Sequence, residues 1–352
     1  MSTRTPLSVL DLAPLSAGIS RREALNHSLE LARHAEASGY QRYWMAEHHG
    51  SRTFMSSATS LLLGRAAEHT STIRLGAGGV MLPNHAPLMV AEYYGTLATI
   101  YGDRFDLGLG RAPGTDPVTA SALRRGSAQV VDFAEDVTAL AQFLAPSPVS
   151  TEGPAPSPRA AELAALGIDP NPEQLRAYVR AIPGEGTRVP LWMLASSLAG
   201  AQVAAALGLP LSFASHFAPR LLGPAVATYR EQFRADAPTA QVSRPTVMAG
   251  VNVMVADSAR AAEELFTSYE AMKAGMRRGR SVPLPAPDPA AAHSPDEPMD
   301  PTAVVGDSQK VVDYLDEFTS RYGIDELIVT SYAYDPAARL RSYELLAEQW
   351  NQ

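Results

Sequence analysis

Glu47-His48-His49 places a carboxylate and two imidazoles where the apolar run Tyr43-Trp44-Met45-Ala46 stops. A histidine titrates near neutral pH and can act as general base or hydrogen-bond donor, and a neighbouring carboxylate can fix its orientation. The arrangement recurs: Arg111 follows the strand-like run Phe105 to Gly110, Ser196-Ser197 follows Val189 to Ala195, and His216 follows Leu209 to Ser215. In α/β barrels the loops after the strands build the active site, so polar residues at strand ends read as catalytic or ligand-binding candidates. A metal centre is the weaker reading. Adjacent residues on an extended segment point to opposite sides, so at most one histidine of the pair faces a barrel mouth, and the other candidate ligands are only Glu47, His216 and Asp106. No metal is expected. A lone histidine at such a place would more often be structural.

The elements that must position these groups alternate. Strand-like runs at Pro6–Pro14, Arg42–His48, Ile73–Leu82 and Phe105–Gly110 are followed by helical spacing over Arg21–Ser38, Ser57–His69, Ala86–Tyr101 and Thr119–Leu144. After a gap come the runs Val189–Ala195, Leu209–Ser215, Thr246–Val255 and Glu326–Tyr332, with helices over Leu198–Leu207, Pro219–Ala235, Ser258–Arg278 and Pro336–Trp350. Eight strands and eight helices in alternation predict parallel pairing through crossover helices and a closed (β/α)8 TIM barrel as one domain over 1–352. An open doubly wound sheet is the alternative, but no glycine-rich dinucleotide fingerprint follows the first strand. A plain barrel needs about 250 residues. The surplus falls in an insertion after the fourth unit, about 146–188, with short helical stretches at Arg159–Leu166 and Pro172–Ala181, and in a loop at about 281–301. That loop holds seven prolines among small and acidic residues, is expected to be mobile, and precedes one more helix, Asp307–Arg321.

Composition narrows the chemistry. With 46% hydrophobic and 19% charged residues the chain can bury a large core. A net charge of −8 without a long basic block argues against nucleic acid. The absence of cysteine removes disulfides, thiol nucleophiles and Cys-ligated metal, so redox chemistry needs a borrowed cofactor. No stretch approaches the roughly 18 apolar residues of a spanning helix, which predicts a cytoplasmic protein away from membranes.

Three segments in register, Trp44-Met45-Ala46-Glu47-His48-His49, Leu75-Gly76-Ala77-Gly78-Gly79-Val80-Met81-Leu82-Pro83 and Asp103-Arg104-Phe105-Asp106-Leu107-Gly108-Leu109-Gly110-Arg111, resemble the bacterial luciferase-like family of flavin-dependent monooxygenases. The likeness is strongest over residues 5–145 and returns at Ala195-Ser196-Ser197-Leu198-Ala199-Gly200, while the proline-rich stretch lies where such barrels carry a mobile loop after the seventh strand. The resemblance implies a (β/α)8 barrel, in agreement with the strand count. It implies that His48 is the active-site histidine handling protons during the flavin's reaction, with Glu47 orienting or flanking it. Gly78-Gly79 matches a non-proline cis peptide against the flavin ring, where the lack of side chains permits close approach. Arg111 matches a flavin-phosphate arginine, whose fork suits phosphate oxygens. Ser196, Ser197 and Gly200 supply hydroxyls and amides at a helix start, where the dipole favours an anion.

Two positions depart from the pattern. Ser196 stands where the luciferase α chain has an acidic residue before the phosphate-binding serine, and Asn84-His85 lacks the family's histidine spacing after Leu-Pro. His85 reads as structural or rim-lining, His216 as a possible wall of the substrate pocket, Trp44 and Met45 as barrel core, and Tyr332 and Tyr334 as pocket-shaping or rim residues. The function implied is an FMN-dependent monooxygenase: reduced FMN from a separate flavin reductase, molecular oxygen, and a small or medium apolar substrate such as an aldehyde, in a homodimer formed through the helices at 57–69 and 86–101. Alternatives are a deazaflavin-dependent oxidoreductase and a non-catalytic flavin-binding subunit. A hydrolase is weaker still, because no nucleophile elbow is present.

Overall fold

The computed structural model describes residues 4–112, 114–123, 132–146, 179–291 and 302–352. Strands β1 (Leu7–Asp11), β2 (Arg42–Met45), β3 (Arg74–Met81), β4 (Phe105–Gly110), β5 (Leu191–Ala195), β6 (Leu211–Phe213) and β7 (Val247–Val255) pair in parallel, each with the next. β9 (Glu326–Thr330) closes the ring, pairing with β7 at Met248↔Glu326 and with β1 at Val9↔Val329. All nine residues of β7 are buried, as parallel strands covered on both faces must be.

Between them run α1 (Arg21–Ala37), α2 (Thr59–Ala67), α3 (Pro87–Tyr101), α4 (Pro117–Ala122), α5 (Phe133–Leu144), α6 (Leu198–Leu207), α7 (Leu222–Gln232), α8 (Ala259–Arg277), α9 (Ser308–Tyr322) and α10 (Pro336–Trp350). Local chemistry starts them where they start. Ser20 and Glu23 form a reciprocal capping box on α1, and Asp307 and Asp335 cap α9 and α10. Gly208 and Gly323 end α6 and α9 in the left-handed conformation.

Two features differ from the sequence reading. The helix expected over Thr119–Leu144 is two helices, α4 and α5, with residues 124–131 outside the described ones. An additional short strand, β8 (Ala303–Gly306), pairs with Asn252–Val255 of β7. Asn252 pairs with both Ala303 and Thr330, so β8 takes the edge opposite β9, beyond the point where three-residue β6 stops. At four residues it is too short for a hydrophobic period to reveal. Most of the insertion, including Arg159–Leu166 and most of Pro172–Ala181, and residues 292–301 of the proline-rich loop lie outside the described residues. The described start of that loop is anchored: Leu284 is fully buried, donates its N–H to the Leu15 carbonyl at 2.7 Å and accepts from Ala17 N at 2.8 Å.

Inside the ring, Trp44 and Trp192 meet edge to face with centroids 5.6 Å apart. Trp44 fits because Gly76 opposite has no side chain; a Cβ there would stand 2.5 Å from the indole nitrogen. Towards the strands' N-terminal ends the polar groups are mutually satisfied. Arg42 bridges Asp106 at 2.6 Å and Glu326 at 2.9 Å, and Arg74 adds a second partner to Asp106 at 2.8 Å.

The ring is tied to its last helix by Asp11. Its carboxylate accepts from Arg339 Nη2 on α10 at 2.7 Å, Tyr43 Oη at 2.6 Å and Ala13 N at 2.8 Å. Burial works to raise its pKa, yet Arg339 and the hydroxyl donors outweigh burial and hold it below the usual carboxylate value. Because both charges are buried, removing one leaves the other uncompensated, at about 3–5 kcal/mol. Asp11→Ala is therefore expected to lower the unfolding free energy by that amount in urea titrations at neutral pH; a loss below about 1 kcal/mol would show that the pair is dispensable.

Candidate active site

At the C-terminal end of the barrel the strand ends enclose a cavity of about 430 Å³. Trp44 and Gly78 lie on its walls, with Leu10, Phe213 and Ile328 among the apolar groups around it. Most of its polar lining comes from the loops after four strands: His48 after β2, Arg111 after β4, Ser196 and Ser197 after β5, and His216 after β6, with Ser212 of β6 itself and Gly200 at the start of α6. A hollow of about 820 Å³ at the opposite end of the barrel is bordered by Arg42, Arg74 and Asp106, but these charges already neutralise one another, so the smaller cavity is the chemical candidate.

Pleating separates the duties of Glu47, His48 and His49. His48 lies over Phe54, ring centroids 5.1 Å apart, and its Nδ1 is 3.4 Å from the Gly114 carbonyl oxygen. A carbonyl only accepts, so Nδ1 carries the proton and Nε2 presents a lone pair. Burial lowers the His48 pKa, outweighing the upward pull of that carbonyl and of Glu47. The ring is thus held neutral near pH 7, in the state that accepts a proton.

Glu47 points the other way. Buried beside Tyr94, it is absent from the cavity wall and accepts from His49 Nε2 at 2.8 Å and from His85 Nε2 at 3.0 Å. Burial would raise its pKa, but His85 and His49 outweigh burial and lower it. Of the expectation that Glu47 orients or flanks His48, the structure shows this placement: an extended chain puts residues 47 and 49 on one side and 48 on the other, and the Glu47 carboxylate hydrogen-bonds His49 and His85. Donor atoms of these three residues lie within 4.8 Å of one another, and the two imidazole N–H groups already satisfy the carboxylate without a cation.

The remaining expectations sort by position. The Gly78-Gly79 peptide is cis, with Gly78 on the cavity wall. A Cβ on Gly79 would stand 2.5 Å from the Gly108 carbonyl oxygen of β4, so close strand approach also demands glycine there. Ser197 caps α6, accepting from Gly200 N at 3.3 Å, which leaves its own O–H proton to donate outward. Arg111 is exposed at the rim. Trp44 is buried core and cavity wall together, whereas Met45 is core alone. Tyr332 stacks on Tyr269 with centroids 5.1 Å apart, and Tyr334 donates to the Ala17 carbonyl at 2.9 Å; neither lines the cavity. The sequence reading missed Gly114, Gly250 and Phe217. Gly114 and Phe217 lie in loops without periodicity, and Gly250 looks like one more small residue in an apolar strand.

The sequence pattern of the luciferase-like monooxygenases matches residues 5–326. The chain belongs to the luciferase-like monooxygenase family. A luciferase-like monooxygenase of Escherichia coli (strain K12) is 43% identical over 347 residues, spanning 96% of this chain and 95% of its own. The N-acetyl-S-alkylcysteine monooxygenase of Bacillus subtilis (strain 168) is 29% identical across 97% of both. The crystal structure of apo-MsnO8 superposes with a TM-score of 0.81 at 32% identity, covering 99% of each chain. This chain is accordingly an enzyme, a flavin-dependent monooxygenase.

His216 carries the strongest titration signature of this monooxygenase's cavity. Burial, and secondarily the charge His48 would carry, push its pKa from 6.5 down to about 4. The unfolded chain then binds a proton on this ring at higher pH than the folded chain. The associated stability is complete above about pH 6.5 and lost as pH falls towards 4. Relative to His216→Gln, the wild-type apoprotein is expected to lose up to roughly 3 kcal/mol between pH 7 and pH 4, a ceiling reduced by whatever water reaches the ring. Paired urea titrations across that range measure it, and parallel curves for the two proteins would refute the assignment.

Proposed function

We propose that this chain is an FMN-dependent monooxygenase that takes reduced FMN from a separate flavin reductase and uses molecular oxygen to oxidise a small or medium apolar substrate such as an aldehyde. The observation that carries the reading is the division of the cavity: a glycine-lined, apolar interior with one neutral histidine base, and a polar rim of Arg111, Ser196, Ser197 and the α6 N-terminus. These residues fit a flavin mononucleotide. The interior suits a flat ring, and the rim offers a guanidinium, hydroxyl donors and the positive end of a helix dipole to a phosphate.

When bound, the reduced cofactor supplies the two electrons that let one oxygen atom enter the substrate while the other leaves as water. The protein's part is positioning and exclusion. Gly78 and Gly79 give backbone close access to a planar ligand. Leu10, Phe213 and Ile328 keep water from the interior. His48 Nε2 is the lone pair that accepts a proton inside the cavity and returns it. Glu47 acts at a distance, holding His49 and His85.

No helix among the described residues is long and apolar enough to cross a membrane, and we place the protein in the cytoplasm. Leu61 on α2 and Ile100 on α3 are 76% and 63% exposed, with Met89 and Tyr93 exposed nearby. This apolar face supports a homodimer through those helices.

Anaerobic titration with reduced FMN, followed by absorbance and fluorescence, tests the cofactor. Arg111→Ala is expected to weaken binding tenfold or more, in line with the loss of a charge-assisted contact of about 1.5–3 kcal/mol. His48→Ala is expected to leave binding within about twofold while lowering substrate oxidation by a factor of 10²–10⁴, the range of general acid-base catalysis. Failure to bind reduced FMN together with tight binding of a reduced deazaflavin would replace the cofactor, and flavin turnover without oxidation of any substrate would replace the activity.

A further inference from the structure

The loop after β6 is fastened to β7 by two side chains. Ser215 Oγ donates to the Gly250 carbonyl at 2.6 Å, and Asn252 Nδ2 donates to the His216 carbonyl at 2.7 Å. Between those anchors the His216 ring lies against Gly250, where a Cβ would stand 2.2 Å from Nδ1. Phe217 meets the ring edge-on at 4.8 Å and 90°. A backbone tied on both sides, and a glycine whose missing side chain makes the space, form a built seat for one imidazole.

That seat fixes which nitrogen does what. Nδ1 is buried against β7 with no hydrogen-bond partner among the described residues. An orphaned buried N–H is rarer than an orphaned acceptor, so Nδ1 is the bare nitrogen and Nε2 carries the proton. Nε2 lies on the other edge of a ring that lines the cavity. On the adjacent wall Phe213, Ala214, Phe217 and Ile328 carry no side-chain donor and Ser212 turns its hydroxyl to Met248 Sδ at 3.6 Å, while Arg111, Ser196 and Ser197 belong to the β4 and β5 loops. His48 shows the opposite polarity, its Nδ1 proton committed to Gly114 and its Nε2 bare. The cavity thus holds one imidazole that accepts and one that donates.

We propose that His216 positions the organic substrate, its Nε2–H donating to a carbonyl or other acceptor oxygen of an otherwise apolar molecule seated in the cavity with His48. This rests on the monooxygenase reading above and adds a specificity-determining residue to it. Depression of the ring's pKa by burial keeps it a neutral donor throughout the working range. A site built to donate discriminates strongly against ligands without the acceptor.

The test uses the full-length protein with reduced FMN, anaerobically, and two pairs of matched probes: octanal with 1-nonene, and cyclohexanone with methylenecyclohexane. Each pair exchanges C=O for C=CH₂ at nearly constant shape. Wild type is expected to bind each carbonyl probe about tenfold more tightly than its hydrocarbon partner, the size of a neutral hydrogen bond worth about 1.4 kcal/mol. His216→Leu should erase that preference while leaving hydrocarbon binding and reduced-FMN affinity within about twofold, and His216→Gln should restore most of it. Thermal melts confirm that both variants fold. Equal binding within the pairs by wild type, no binding of any probe, or a preference that survives His216→Leu overturns the proposal. So does a His216→Leu variant that loses reduced-FMN affinity, since the donor would then serve the cofactor. If wild type does not bind reduced FMN, the cofactor reading fails first, and that outcome is distinct from all of these.

Discussion

A closed ring of parallel strands has an interior that water does not reach, and every polar group turned inward must be answered by another. At the N-terminal end of this barrel the answers are complete: Arg42 stands between Asp106 and Glu326, and Arg74 doubles the hold on Asp106. Asp11 and Arg339 do the same where the ring meets its last helix. At the other end the balance is left open at buried His216 Nδ1, which has no hydrogen-bond partner among the described residues. The charges of the barrel's base are thus paired with one another, and the cavity at the opposite end is lined instead by His48, Arg111, Ser196, Ser197 and His216.

The second constraint is the two-residue period of extended chain. It divides Glu47-His48-His49 between two environments only a backbone's width apart. Glu47 and His49 join His85 beside α3, and His48 alone enters the cavity. The carboxylate is anchored by two imidazoles, the central histidine is held by a carbonyl and an aromatic ring, and neither arrangement disturbs the other. The pleat thus sets one imidazole of the three residues on the cavity wall and keeps the carboxylate away from it.

Much of this was legible in the sequence. Apolar runs alternating with helical periodicity specified the barrel, and the polar residues ending those runs specified the rim, because both signals are local. His48, Gly78, Arg111, Ser196, Ser197 and Gly200 do converge on one cavity. What was not legible depends on relations between distant segments. Side-chain direction beyond the end of β2 decided the fate of Glu47. The short β8 exists because β6 stops early and leaves an edge of β7 open. The importance of Gly250 appears only when the ring of His216 is placed against it. Buried Leu284, together with hydrogen bonds at Ser281, Val282 and Asp288, anchors the start of a proline-rich stretch whose composition reads as unanchored.

Asn252 sits where three parts of the chain meet. Its Nδ2 donates to the His216 carbonyl at 2.7 Å and to the Thr302 carbonyl at 2.9 Å, so one amide group ties the segment leaving β6 to the segment running into β8. An amide has two hydrogens and a fixed plane, and its two acceptors cannot drift independently. The start of β8 and the backbone of the cavity wall at His216 are therefore coupled through this planar amide. A displacement at Thr302 thus bears on the backbone of residue 216 without any change at position 216 itself.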